Sequence, residues 1–385
     1  MKTDLLIIGA GPFGLTMASH AKHLGIDFII AGKAMEFWKN NMPQGMYLRS
    51  ACDWHLDSEN KSTIENYLAT LNLVPADAEP ISRDFYLSYV EWFQQQKKID
   101  PLPVYINRLD YAGDHHFNAY TNRGEIIAAD NVVIAVGFKY FMHIPPEFEN
   151  ILPAGSFSHT CDVADMTAMR GKRCLILGGR QSAFEWAALL NEAGASSVHI
   201  SHRHKSPSFT AADWSWVNSL VDNMADNPGW FRNLSQEEKD AVSDKLWAEG
   251  RLKVEPWLEP RIMKDDIKLW PRTSLTACEK LTTGELNVSF DNDTKIIVDH
   301  IILATGYKVI LSQIPFFTNG NILSELATNN GFPVLDEHFQ TNLPGLFFTS
   351  MPAGQDFGPF FGFTISVRTS AKLIGKELIR NLKMV

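Results

Sequence analysis

The sequence predicts an α/β protein made of two three-layer units of the doubly wound type, one inserted into the other, with a helical insertion in the second. Three observations predict it. A continuous apolar run, a glycine-rich turn and a small-residue helix open the chain at Asp4. The same succession returns about 170 residues later, at Arg173. Each copy is followed by a hairpin and then by an apolar strand ending in glycine, which reads as an internal duplication.

In the first copy, Leu5 to Ile8 is apolar throughout, as a parallel strand buried on both faces requires. Gly9, Gly11 and Gly14, with Pro12 and Phe13 between the last two, fit G-x-G-x-x-G. The first glycine allows a tight turn, the second lets backbone approach a pyrophosphate, and the third lets the helix pack close. A helix predicted from about Phe13 to Leu24 would aim its N-terminal amides at the phosphates. Ile26 to Ile30 is predicted as the second strand. The acidic ribose ligand expected near its end is replaced by Ala31-Gly32-Lys33, so Glu36 or the backbone takes that role.

The second copy reads Lys172 to Leu177, then Gly178-Gly179-Arg180-Gln181-Ser182-Ala183. Arg180 stands at the second glycine position, with its side chain expected to point outward onto a phosphate. The helix behind runs from Ser182 to Ala193 and stops at Gly194. The next strand, Ser197 to Ser201, ends in His202-Arg203-His204-Lys205. A ribose hydroxyl at that point calls for a carboxylate and a 2′-phosphate calls for an arginine, so Arg203 argues for NADPH over NADH. The alternative is a solvated loop. Two dinucleotide sites in one chain imply a redox enzyme, with one nucleotide resident and the other a visiting electron donor.

Downstream of the first turn, strands at Phe117 to Tyr120 and Glu125 to Ile127 feed Val132-Val133-Ile134-Ala135-Val136-Gly137-Phe138. Downstream of the second, Leu286 to Phe290 and Lys295 to Val298 feed Ile301-Ile302-Leu303-Ala304-Thr305-Gly306-Tyr307. Thr341 to Ser350 reads as a turn and a buried strand. A glycine- and phenylalanine-rich stretch, Gly354 to Gly362, leads into an amphipathic helix from Thr364 to about Leu382.

The chain has 385 residues, 45% of them apolar and 21% charged, enough for two or three ordinary cores. A net charge of −9 without a basic run argues against nucleic acid. No apolar stretch reaches bilayer length, and the chain enters a strand by Asp4, so no signal peptide is expected and the cytoplasm is the default. The cysteines at 52, 161, 174 and 278 form no C-x-x-C. No metal site is expected, and His202 with His204 reads as a polar loop.

Taken together, the G-A-G-P-F-G turn, the Gly178 turn, the Leu303-Ala304-Thr305-Gly306-Tyr307 string and the Thr341 to Ser350 segment resemble the two-dinucleotide-binding flavoproteins. Within them the chain is most similar to the flavin-containing, Baeyer–Villiger and N-hydroxylating monooxygenases, and it resembles a bacterial branch of FAD-dependent hydroxylases. The resemblance covers most of the chain and is weakest between about 205 and 275. It implies Rossmann-like domains with FAD in the first site and NADPH in the second. Residues 1–150 and 305–385 would bind FAD. Residues 151–304 would bind NADPH, with the helical insertion at about 209–272.

The resemblance also implies roles for single residues. Trp38, Met46, Arg49 and Ser50 would run along the isoalloxazine, with plain core packing the alternative for Trp38 and Met46. Gly137, Thr305, Gly306, Tyr307, Ser350, Gly358 and Phe361 would approach the cofactor. The helix after the Gly354 to Gly362 stretch would stabilise an anionic reduced flavin. Gly155 to His159 resembles part of the monooxygenase linker signature, but Pro153 and Val163 stand where aromatic residues are expected. His159 and Arg49 are the candidate catalytic residues. Gly178, Gly179, Arg180, Gln181, Ser182, Arg203 and His204 would hold NADPH.

The activity implied is that NADPH reduces FAD. Reduced FAD and O2 then form a C4a-(hydro)peroxide, which gives one oxygen atom to a small organic substrate. A homodimer is left open. An NADPH-dependent flavoprotein reductase with a non-disulfide acceptor is the rival, and a non-catalytic nucleotide-binding protein the third reading. In the middle of the chain, helices are predicted from Asp213 to Met224 and, behind the Ser235 capping box, to about Glu249. Five tryptophans between 214 and 257 are expected to pack an insertion rather than line a pocket. Arg251, Arg261 and Arg272 are candidates for an anionic substrate or a solvated face.

Overall fold

The computed structural model describes residues 1–113 and 116–382. It is an α/β molecule with two main sheets. In the first, Lys2–Ile8 lies between Phe28–Ala31 and Ile126–Ile134, parallel to both. The nine-residue strand Ile126–Ile134 changes partner along its length. Its first half pairs antiparallel with Phe117–Thr121, which pairs with Ile106–Tyr111. Its second half pairs parallel with Leu346–Phe348. One strand therefore belongs both to a hairpin sheet and to a parallel sheet.

The second main sheet is wholly parallel, in the order Ile267–Pro271, Ser197–His202, Arg173–Leu177, His300–Leu303, Phe157–His159. The antiparallel strands Leu275–Lys280, Leu286–Phe290 and Lys295–Val298 feed its fourth strand. The duplication expected from the sequence is thus present in the topology. All strands of the second sheet fall between residues 157 and 303, inside the interval that separates Ile134 from Leu346 in the first.

Local chemistry sets the element ends. The helix Pro12–Leu24 begins with proline at its first position and stops at Gly25, whose φ is +74°. The strand expected from Ile26 starts instead at Phe28, because the Ile26 N–H is used to close the helix onto Ala21 O at 3.0 Å. The helix Gln236–Gly250 opens with both capping-box bonds, Ser235 N–H to Glu238 at 2.8 Å and Glu238 N–H to Ser235 Oγ at 3.3 Å. The C-terminal α-helix starts at Val367, after a single 3₁₀ turn over Thr364–Ser366.

The insertion differs from expectation in two ways. Its last residues are not helical: Ile267–Pro271 forms the edge strand of the second sheet. Its helix Ser215–Asn223 does not pack on the sheet the chain has just left. Val217, Val221, Met224 and Phe231 enter the core of the first sheet, while Val254, Leu258 and Ile262 join that of the second. Trp54 Nε1 donates to Asn218 at 2.9 Å, and Thr369 Oγ1 donates to Val221 O at 3.2 Å, fastening the same helix. No helix among the described residues is long and apolar enough to cross a membrane.

Candidate dinucleotide sites

Gly9 and Gly178 end matching strands, with φ of +115° and +152°. A side chain on Gly9 would collide with Ala135 O, and one on Gly178 would lie 2.5 Å from Ala304 O. Each glycine is thus forced by the carbonyl of the next parallel strand, and the two collisions are equivalent in the duplication. Gly137 and Gly306, two residues past those carbonyls, have φ of +59° and +78°. Gly14 is excluded from bearing a side chain by Gly9 O, whereas a Cβ on Gly11 would meet no atom within 4 Å. Gly11 therefore presents bare backbone to open space beside the N-terminus of the helix Pro12–Leu24, where Pro12 and Phe13 are buried. That is a cradle of the kind a pyrophosphate needs.

Next to it a cavity of about 350 Å³ is lined by Gly32, Lys33, Glu36, Lys39, Pro101 and Pro103. Glu36 receives Lys139 Nζ at 2.8 Å and the Tyr105 hydroxyl. Burial would raise its pKa, but these hydrogen bonds outweigh that and hold the carboxyl below its usual value. Glu36 is thus an ionised acceptor at the place where a ribose hydroxyl is expected. Gly32, Tyr105 and Lys139 were not singled out from the sequence. The clue for Gly32 was its place at the end of the second strand.

At the second turn, Gly179 is forced by His202, whose Cβ would lie 2.5 Å from an added side chain. Arg180 caps the helix Gln181–Glu192, and its guanidinium lies over Trp247 at 4.5 Å rather than free in solvent. Arg203 is exposed, and His204 Nδ1 sits 2.6 Å from Lys205 O. Ser182 is exposed at the first helical turn. Gln181, expected to face the nucleotide, has both side-chain ends engaged: Oε1 accepts Glu255 N–H at 3.0 Å and Nε2 donates to Glu185 at 3.2 Å.

The segment expected along the flavin runs between the two halves. Met46 packs on the second core, and the Tyr47 N–H donates to Glu185 at 3.0 Å. Arg49, expected as a catalytic residue along the flavin, is held by the insertion. Its guanidinium donates to Glu255 at 2.7 Å and to Gly250 O at 2.6 Å, and it lies over Trp214, so it ties this segment to the insertion. Ser50 Oγ lies 3.3 Å from Thr364 Oγ1. Trp38 stacks on Tyr86 at 4.8 Å, a packing role.

His159, Thr305, Gly306 and Tyr307 do come together. His159 is buried, with Nε2 3.1 Å from Gly306 O and Nδ1 3.1 Å from Cys161 Sγ. Burial outweighs the Gly306 hydrogen bond and lowers its pKa. Both ring nitrogens thus face protein atoms, and the ring is held in place by them. Thr305 Oγ1 donates to His143 O at 2.5 Å. Tyr307 packs with Phe138 at 4.9 Å and Phe37 at 6.3 Å.

Ser350, past the strand Leu346–Phe348, has φ of +65°, and the buried hydroxyls of Thr349 and Ser350 have no partner among the described residues. Gly358 has φ of +104°. Phe361, expected to approach the cofactor, is fully buried among Phe339, Phe357 and Phe360. All four cysteines are free, and the described residues contain no cluster of three or more metal-ligating side chains.

Comparison with known proteins agrees with this architecture. The chain is 24% identical over 367 residues to an uncharacterized CzcO-like oxidoreductase of Geobacillus kaustophilus, covering 91% of each. It is 24% identical over 356 residues to a ferredoxin–NADP reductase of Nitrobacter winogradskyi, covering 90% of this chain and 82% of the relative. It shares its fold with the ornithine N-hydroxylase of Kutzneria sp. 744, solved with reduced FAD, NADP+ and L-ornithine. The TM-score is 0.81 at 14% identity, over 99% of this chain and 100% of that one. Residues 6–227, more than half the sequence and spanning both glycine turns, match a defined family, and the chain belongs to it: the pyridine nucleotide-disulphide oxidoreductases.

Proposed function

We propose that the protein is an FAD- and NADPH-dependent monooxygenase acting on a small organic substrate. The observation that carries this reading is the pair of equivalent glycine turns, each pressed against the carbonyl of the neighbouring parallel strand, in a fold shared with an ornithine N-hydroxylase. Residues 1–150 and 305–385 are assigned to the flavin unit and 151–304 to the nicotinamide unit, consistent with the two sheets.

Bound FAD would supply the electron transfer and oxygen chemistry. The chain's own residues bind and orient. Gly9, Gly11 and Gly14 would receive the flavin nucleotide's pyrophosphate, and Glu36 would accept a ribose hydroxyl. Ser350, with its unpartnered buried hydroxyl, is a hydrogen-bond donor available to the ring system. Gly178, Gly179 and Arg203 would receive NADPH. The insertion covers the phenylalanine-rich loop, with Trp216 edge-on to Phe360 at 6.5 Å, and would exclude water. The overall change is NADPH, a proton, O2 and substrate to NADP+, water and oxygenated substrate.

A second reading is an NADPH-dependent reductase, favoured by the ferredoxin–NADP reductase relative. Purified protein should carry a flavin spectrum and bleach on anaerobic NADPH. With oxygen and small primary amines, sulfides or ketones in turn, one of them should raise NADPH oxidation and give oxygenated product. NADPH oxidation that yields only hydrogen peroxide with all of them, together with fast reduction of ferredoxin, would support the reductase. Colourless protein that cannot be reconstituted would end both.

A further inference from the structure

The helical insertion reaches the second glycine turn. Arg180, at the second glycine position of the turn, has its guanidinium carbon 4.5 Å from the centre of the Trp247 ring. Arg251, just past the same helix Gln236–Gly250, lies 5.2 Å from that ring. Arg203 follows the strand Ser197–His202. Burial and then the charges of Arg251 and Arg203 push the Arg180 guanidinium down to about 10. Arg180 therefore feels the charges of both other arginines. Among the described residues, none of the three has a carboxylate within 4 Å. The acids closest in sequence are taken, Glu249 by Lys253 at 2.6 Å and Glu255 by Arg49 at 2.7 Å.

Holding three uncompensated cations together is costly unless a polyanion is their partner. Two of them are half-buried, so their attraction for an anion is less screened than on an open surface. Trp247 is 38% exposed, one of the few large apolar side chains left in solvent, and offers an aromatic platform beside the charges.

We propose that Trp247 and Arg251 complete the nicotinamide-nucleotide site, taking the adenosine end that carries a 2′-phosphate. Arg251 and Arg203 hold that phosphate, Arg180 meets the pyrophosphate and Trp247 packs on the adenine. The insertion is then a determinant of nucleotide choice, beyond its packing on the first core. The proposal rests on the reading of the Gly178 turn as the NADPH site.

Calorimetric titration of the flavin-loaded protein tests it, with adenosine 2′,5′-bisphosphate and 5′-AMP as probes. Wild type should prefer the bisphosphate. Arg251→Ala should weaken the bisphosphate about tenfold or more and leave 5′-AMP nearly unchanged, the loss expected for one charge-assisted contact. Trp247→Ala should weaken both probes, and Trp247→Phe should recover most of that loss. Both side chains are at least partly exposed, so flavin content and melting temperature should hold. The proposal is overturned if Arg251→Ala keeps bisphosphate affinity within twofold and Trp247→Ala keeps that of 5′-AMP. Should wild type keep its flavin but bind neither the bisphosphate nor NADPH, the NADPH-site reading itself fails, and this proposal with it.

Discussion

The backbone N–H of Tyr47 donates to the carboxyl of Glu185 at 3.0 Å, joining residues 138 positions apart across the two halves. Glu185 is fully buried, and Gln181 adds a second donor at 3.2 Å. Burial dominates over these bonds and over Arg261, and raises its pKa from 4.5 to about 8.

That shift has a definite sign. Between pH 4.5 and 8 the folded protein holds a proton at Glu185 that the unfolded chain has lost. Stability from this group is complete below pH 4.5 and is lost as pH rises through 8. Glu185→Gln should remove that loss. Melting curves from pH 5 to 8.5 should show the wild type falling relative to the variant as pH rises; a constant difference would refute the assignment.

Gly11 and Gly14 separate folding from binding. Gly14→Ala drives a methyl into Gly9 O and should cost several kcal/mol or prevent folding. Gly11→Ala has room and an ordinary φ of −87°, so its melting temperature without flavin should hold or rise slightly. Its flavin content should collapse, because the methyl stands where the pyrophosphate would approach. Absorbance per protein at the flavin band and calorimetry of the flavin-free protein check the two halves of this expectation.

Arg49 and Glu255 form an ion pair with side chains 17% and 14% exposed. A double-mutant cycle with Arg49→Ala and Glu255→Ala should give a coupling of about 1–3 kcal/mol in denaturant unfolding. Flavin reduction by NADPH should survive in Arg49→Ala, slowed through lost positioning rather than abolished. Complete loss of reduction with flavin still bound would restore Arg49 to the chemistry.

Arg203 is exposed beside the second turn, with no acidic partner within 4 Å among the described residues. Arg203→Glu should reverse the nucleotide preference, lowering kcat/KM for NADPH by about tenfold or more while that for NADH changes little or rises. Equal loss for both nucleotides would instead assign it a structural role.

Backbone geometry was legible because it is written locally. The glycines at 9 and 178 appear where a parallel strand's carbonyl leaves no room, Gly14 where the carbonyl of Gly9 does, and strand–turn–helix spacing announces that crowding. The Ser235 capping box is similarly self-contained. Long side chains are another matter. Arg49 finds Glu255, Gln181 finds the Glu255 amide, and the helix at Ser215 finds a core whose strands lie far away in sequence. No spacing rule carries that information, so Arg49 was expected beside a ring and Gln181 beside a nucleotide. Phe361 belongs with these: a phenylalanine in a glycine-rich loop has the same local signature whether it walls a pocket or, as its burial shows, packs among other phenylalanines.

The anchoring of Val217, Val221 and Met224 in one core, and of Val254, Leu258 and Ile262 in the other, makes residues 215–262 a rivet through both bodies. A swing of one sheet against the other would have to be taken up by the stretch between the two trios, where the helix Gln236–Gly250 buries Leu246 alone. That helix also carries Trp247, whose ring lies beside Arg180 at the second turn. Any such swing would therefore move an aromatic ring against the turn, so the insertion reports the relative position of the two sheets where the second turn can sense it.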